Sequence, residues 1–401
     1  MELQVKQPEM LDIAPKEVPI QTTSTLPETL ASLPYPVFQG QCVIYNSEIL
    51  ICGGFEERNC YSYDTIKDEY KVINYYPINV GLQGHCVLEW RKKKNGIKLL
   101  SFGGHEKHTL FMDYVSVWDE DKNKSAIKTK KTKLTNRWLQ LVDHNNNKVF
   151  IGRKKDNYDG MRAIIGGKKN NLLFITYYPN NIDVFNLNTH RYINHSNLPA
   201  GNDIHHHCFI KRKNNNRMLL FCYETILSIL YNENDNKFEF HKIRILSNIT
   251  SISYYAYVHI DDFVLFFGGW NGILDNFGPD HDLIPNENIS NKIYKYTISE
   301  ERCVTLDQAL PIPLSCCVAT LNEDNQFVHV LGGYYDYALV SAHIKMKIKE
   351  MIKTDKEKEI QKIAKEQEKI IIEQMKKLDS STLIKALNRV FILFLFLLCY
   401  L

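Results

Sequence analysis

Two histidine clusters have residue types and spacing that could hold a metal. They are His205-His206-His207, and His105-x-x-His108 with Glu106 between its members. A zinc site needs three or four such side chains converging on one point. Successive residues of a regular strand face opposite ways, so the triplet cannot converge from a strand. The second cluster falls in a loop and reads as polar surface open to a partner. Ten cysteines invite a disulfide or zinc reading. No Cys-x-x-Cys pair is present, and Cys42, Cys86, Cys208 and Cys317 each stand just ahead of a repeated apolar strand. They read as small buried side chains in a reducing compartment. The chain has no nucleophile elbow, phosphate-cradling glycine loop or paired-acid motif. The expectation is a protein that is not an enzyme, with no metal and no cofactor.

The element that must position these residues recurs six times, at 48–54 (EILICGG), 97–104 (IKLLSFGG), 171–177 (NLLFITY), 217–223 (RMLLFCY), 262–269 (DFVLFFGG) and 326–333 (QFVHVLGG). The residue pairs that end these runs begin at 53, 103, 176, 222, 268 and 332. A period of about 40–50 residues marks a propeller, and the longer gaps hold insertions. An aromatic follows most runs: Tyr63, Trp118, Phe185, Tyr231 and Tyr296. Seven residues later stand Tyr70, Tyr192, Phe238 and Cys303, with Trp138 in that place after an insert. Short apolar runs bounded by turns are strands buried on both faces. Large aromatics on the outer strands fill the gap between neighbouring units. One unit cannot bury both its faces, so the units must stack in a ring.

With its glycine pairs Gly53-Gly54, Gly103-Gly104, Gly268-Gly269 and Gly332-Gly333, the repeat resembles the kelch motif. The resemblance covers residues 26–344 and implies an all-β, kelch-type β-propeller of four-stranded blades. Two units depart from the motif, with Thr176-Tyr177 and Cys222-Tyr223. Gly166-Gly167 is out of register and belongs to the first turn of the third blade. Six strand sets predict six blades, with seven as the alternative. The sixth set lacks a fourth strand, which residues 26–34 (LPETLASLP) could supply from the N-terminus. Closing the ring from both ends removes open strand edges.

The resemblance further implies that partners bind on one rim, through loops after the second strand and between blades. Mapped here, Arg58, His105, His108, Trp270, Tyr334 and Tyr335 are the candidate partner-binding residues. Arg, Trp and Tyr concentrate binding energy at interfaces. Another protein is therefore the expected partner. A kelch-like propeller also occurs in copper radical oxidases, so an oxidase-like enzyme is the remote alternative.

The domain reading is a disordered segment over 1–25, the propeller over 26–343, a charged amphipathic helix over 344–379 and a hydrophobic segment over 380–401. No secretory leader is evident, so the cytoplasm is the expected compartment. The whole chain carries +3, whereas residues 341–401 hold 12 Lys and 1 Arg against 2 Asp and 6 Glu, a net of +5. Residues 1–340 thus carry about −2, which argues against nucleic acid as a partner. The Asn/Lys-rich runs read as solvated turns. The helix would pack on the propeller or pair with a second copy. Residues 390–401 (VFILFLFLLCYL) are uncharged. A membrane anchor through 383–401, flanked by Lys385 and Arg389, is the alternative reading.

Overall fold

The computed structural model describes residues 27–119, 135–212, 217–223, 225–243, 252–271 and 288–353, with residues 367, 369, 372 and 373. The N-terminal segment 1–25, the hydrophobic segment 380–401 and most of the charged helix lie outside them. Six four-stranded antiparallel sheets make the propeller. Blade 1 is β2 (Cys42–Tyr45), β3 (Glu48–Gly54), β4 (Glu57–Asp64) and β5 (Glu69–Tyr75). Blade 2 is β6 (His85–Lys93), β7 (Gly96–Gly103), β8 (His108–Tyr114) and β9 (Leu139–Gln140). Blade 3 is β10 (Asn157–Gly166), β11 (Leu172–Tyr178), β12 (Asn181–Asn186) and β13 (Arg191–Asn197). Blade 4 is β14 (Cys208–Lys211), β15 (Arg217–Cys222), β16 (Thr225–Asn232) and β17 (Lys237–Ile243). Blade 5 is β18 (Ala256–Ile260), β19 (Phe263–Phe267), β20 (Lys292–Thr297) and β21 (Arg302–Ala309).

Blade 6 is built from both ends of the chain. Its order is β22 (Val318–Leu321), β23 (Phe327–Leu331), β26 (His343–Lys347) and β1 (Glu28–Thr29). Between β23 and β26 a small hairpin, β24 (Tyr334–Tyr335) and β25 (Ala338–Leu339), projects from the blade. The N-terminal strand thus closes the ring as expected, and six blades replace the alternative of seven. The propeller runs four residues past its expected end at 343. Residues 344–347 are strand rather than helix, because Val328 and Val330 of β23 need partners in Met346 and Ile344. One helical turn, α1 (Ile348–Met351), then buries Ile348 and Met351 against blades 5 and 6.

The period-2 alternation of the second strands explains the core. In β3, Leu50 and Cys52 pack towards blade 2, whereas Ile49 and Ile51 pack towards blade 6. The same split at every blade produces six interblade clusters rather than one central core. The aromatic marks meet across strands as their spacing requires: Tyr63 opposes Tyr70, Phe185 Tyr192, Tyr231 Phe238, and Tyr296 Cys303. Blade 2 differs from expectation. Its third strand ends at Tyr114, and Trp118 lies beyond it, donating its indole N–H to Ser62 Oγ at 2.9 Å. Tyr114 fills the buried aromatic place and donates to Glu48 at 2.5 Å.

The glycine pairs sit where the next interblade connection presses on the strand end. Gly332 has φ +62°, and a Cβ there would lie 2.1 Å from the Val37 carbonyl oxygen. Gly333 donates to that same oxygen at 2.7 Å. Gly332→Val should therefore lower stability by about 3 kcal/mol or more, since a β-branched residue tolerates neither that φ nor that approach. Gly201→Ala, with nothing within 4 Å of the added carbon, is the control and should change stability by less than about 0.5 kcal/mol. Equal denaturation midpoints for the two variants would refute this account of the doublet.

Candidate interaction face and central channel

Antiparallel blades divide their connections between two faces. Turns between first and second strands, and between third and fourth, share one face, called here the hairpin face. Second-to-third-strand turns and blade-to-blade connections share the other, the connection face. The two groups of loops expected to recognise a partner thus lie together on the connection face.

The candidate residues separate there by burial. His105 is exposed, and Arg58 and Tyr335 are partly exposed. His108, Trp270 and Tyr334 are buried, which corrects their placement in open loops. His108 is the first residue of β8 and shares a 2.7 Å hydrogen bond with Ser101 Oγ, so it cannot converge with His105. Trp270 bridges Ser253 and Ile289, and packs with Tyr254, Cys316 and Tyr334 in an aromatic cluster over the channel mouth. Phe38 adds edge-on contacts to Phe55 and Tyr334, with ring centroids 5.9 and 6.3 Å apart. These aromatics leave their strands towards the axis, so burial claims them. Residues 272–275 of the Trp270 loop lie outside the described residues.

A different set of aromatics is exposed. Tyr35, Tyr75, Phe150, Tyr178 and Tyr337 are the exposed Phe, Tyr and Trp side chains among the described residues. All five lie on the connection face. Tyr35 and Phe150 stand in blade-to-blade connections, and Tyr75 ends β5. Tyr178 ends β11, and Tyr337 tips the β24–β25 hairpin. The sequence signal for Tyr75 and Tyr178 was their position at strand ends on this face; residue type alone favoured the buried Trp270.

The channel begins beneath the aromatic cluster with a cavity of about 220 Å³. Gln39, Gln41, Cys42, Cys86, Arg162 and His206 line it. A wider opening of about 690 Å³ at the hairpin face shares Tyr257 and Ala319 with it, so the two are ends of one axial channel. Three of the repeated cysteines, Cys42, Cys86 and Cys317, therefore stand around a common cavity. Burial pushes the thiols up, Cys86 to about 11 and Cys317 to about 12. The Arg162 guanidinium opposes that shift at Cys86 without reversing it. A reactive thiol needs the opposite shift.

The histidine triplet diverges. It precedes β14 rather than lying in it, and His206 has φ +48°. His207 is buried against Thr176 Oγ1 at 2.6 Å. His206 faces the channel, its ring 4.8 Å from that of Tyr254. His85 holds the matching place in blade 2, and its Nε2 lies 3.0 Å from the Cys52 carbonyl. His207 and His85 thus each tie their blade to the second strand of the blade before. Among the described residues no group of three His, Cys, Asp or Glu side chains is placed to hold a metal ion.

No protein-family model matches the chain, and no curated protein does. Among solved structures, that of YjhT is similar with a TM-score of 0.54 at 13% identity, over 80% of this chain and 97% of the other. At that identity the likeness shows the fold alone. The chain is a six-bladed β-propeller.

Proposed function

We propose that the chain is a kelch-type propeller serving as a non-catalytic scaffold, with the connection face as its protein-binding surface. The observation that carries this reading is the confinement of all five exposed aromatics to that face. Exposed aromatic side chains offer large contact area at little entropic cost, and they concentrate binding energy in protein interfaces. Arg58, His105 and Tyr335 add polar contacts on the same face. An oxidase-like alternative finds less support. Burial holds the channel thiols protonated, which disfavours their use as nucleophiles.

Affinity capture with the full chain tests the proposal. Phe150→Ser, Tyr178→Ser and Tyr337→Ser together should weaken capture of the partner by about 100-fold or more, with the melting midpoint unchanged. Trp270→Ala is unsuitable for this purpose. Its side chain is 2% exposed, so truncation should cost about 3–5 kcal/mol of fold stability. Undiminished capture by the triple variant would remove the connection face from the account.

A further inference from the structure

We propose that the central channel binds a small molecule bearing one carboxylate, held by the Arg162 guanidinium. This site is separate from protein binding at the connection face and involves no catalysis.

Arg162 lies in β10, the first strand of blade 3, and lines the cavity of about 220 Å³. No other Lys or Arg stands in that wall among the described residues, and no Asp or Glu. Arg162 Nη1 donates to the Met161 carbonyl at 2.9 Å and to that of Gly160 at 3.5 Å. The side chain makes no further hydrogen bond and no ion pair among the described residues. Asp159 stands outside the cavity wall, with Oδ1 3.8 Å from His206 Nε2. A charge enclosed by protein is costly unless an opposite charge faces it. The uncompensated charge of Arg162 is felt around the ring. Burial raises the thiols of Cys86, Cys208 and Cys316 and the hydroxyl of Tyr257, and lowers His85 and His207; the Arg162 charge acts on all six. They belong to blades 2, 4 and 5 and to the connection between blades 5 and 6.

The wall sets the chemistry of the ligand. One fixed positive charge matches one negative charge, and the planar fork of donors matches a carboxylate. A phosphate dianion needs a second cation, and His206, the other basic side chain in the wall, already faces Asp159. Two neutral groups suit a hydroxyl or carbonyl on the same ligand. Gly84 N–H donates to Gln39 Oε1 at 2.9 Å, which fixes that amide and leaves its nitrogen to donate. Gln41 Nε2 is held on the Gly40 carbonyl at 3.0 Å, which leaves its oxygen to accept. Ala163, Ala256 and Val318 supply apolar wall. A few fixed polar groups among apolar ones are what a small-molecule site requires. At about 220 Å³ the cavity is smaller than the roughly 300–1,000 Å³ of drug-sized pockets, so the ligand is small. Entry is from the hairpin face, where the channel widens to about 690 Å³, because the aromatic cluster of Trp270 and Tyr334 covers the other end.

Titration of the full chain with L-lactate, a small hydroxy acid, tests this by saturation-transfer NMR. Lactamide is the uncharged isostere. Lactate should bind about tenfold more tightly than lactamide, or better. Arg162→Gln should remove that preference while the cooperative melt is kept. Arg162→Lys keeps the charge but loses the fork, so it should weaken lactate binding without abolishing it. Lys155→Gln, exposed on the connection face, should leave binding unchanged. Equal affinity for lactate and lactamide would overturn the proposal, as would no saturation transfer from lactate at about 10 mM. Tighter binding of inorganic phosphate than of lactate would also overturn it, and so would a folded Arg162→Gln chain that keeps the preference. Should Arg162→Gln not fold, the Arg162→Lys chain decides: undiminished lactate binding there would equally exclude the site.

Discussion

Acidification from pH 7 to about pH 4.5 will unfold the propeller, because histidines are buried uncharged at its blade junctions. His85, His329 and His343 are at most 1% exposed and His108 is 7% exposed. Burial holds His85 and His329 down at about 4, and His108 and His343 at about 3. His85 further depresses His108, and His329 does the same to His343. The last pair share a 2.8 Å ring-to-ring hydrogen bond, and Tyr70 caps His343 at 2.5 Å. In the unfolded chain each titrates near about 6.5. Between that value and the depressed folded ones, the unfolded state binds more protons, so stability falls as pH falls. Each histidine contributes a slope of about 1.4 kcal/mol per pH unit in that window. Four together approach about 5.5 kcal/mol per unit, against a net stability of about 5–15 kcal/mol. Denaturant titrations at stepped pH should show this slope, and His85→Gln should reduce it by about a quarter whatever its effect at pH 7. Stability that is level from pH 7 to 5 would contradict the account.

Removing residues 1–33 should be nearly as damaging. Thr29 and Glu28 pair with Ile344 and Lys345. Leu30 and Leu33 donate to the His343 and Ser341 carbonyls at 2.9 and 3.0 Å. Leu33 is 4% exposed in the cluster joining blades 6 and 1. Backbone hydrogen bonds at about 1 kcal/mol each and burial of Leu33 at about 2 kcal/mol suggest a loss of about 5 kcal/mol. The truncation also bares the β26 edge, so self-association should follow. A synthetic peptide of residues 26–36 should restore the melting midpoint by re-forming the closing strand. A truncated chain as stable and monomeric as the whole would mean that the ring closes without it.

The fold was legible because each blade repeats the same packing problem. The Tyr63–Tyr70 and Phe185–Tyr192 pairs follow from one spacing, and the missing fourth strand of blade 6 pointed to the N-terminus. Blade 2 misled because the insert before β9 separates its third and fourth strands and hides Tyr114 behind Trp118. The site was legible as a face but not as residues. Whether a loop aromatic turns outward, like Tyr337, or inward over the channel, like Trp270, depends on neighbours more than 15 residues away in sequence, such as Tyr254 and Ile289.

Photocrosslinking from chosen positions tests the central claim, protein recognition at the connection face, most directly. A benzophenone side chain would replace Tyr178 or Tyr337 on that face, and Ile66, which is 82% exposed in the β4–β5 turn of the hairpin face. The account predicts one discrete protein adduct from positions 178 and 337, and none from 66. The same adduct from position 66 alone, or no protein adduct from either aromatic position, would contradict it.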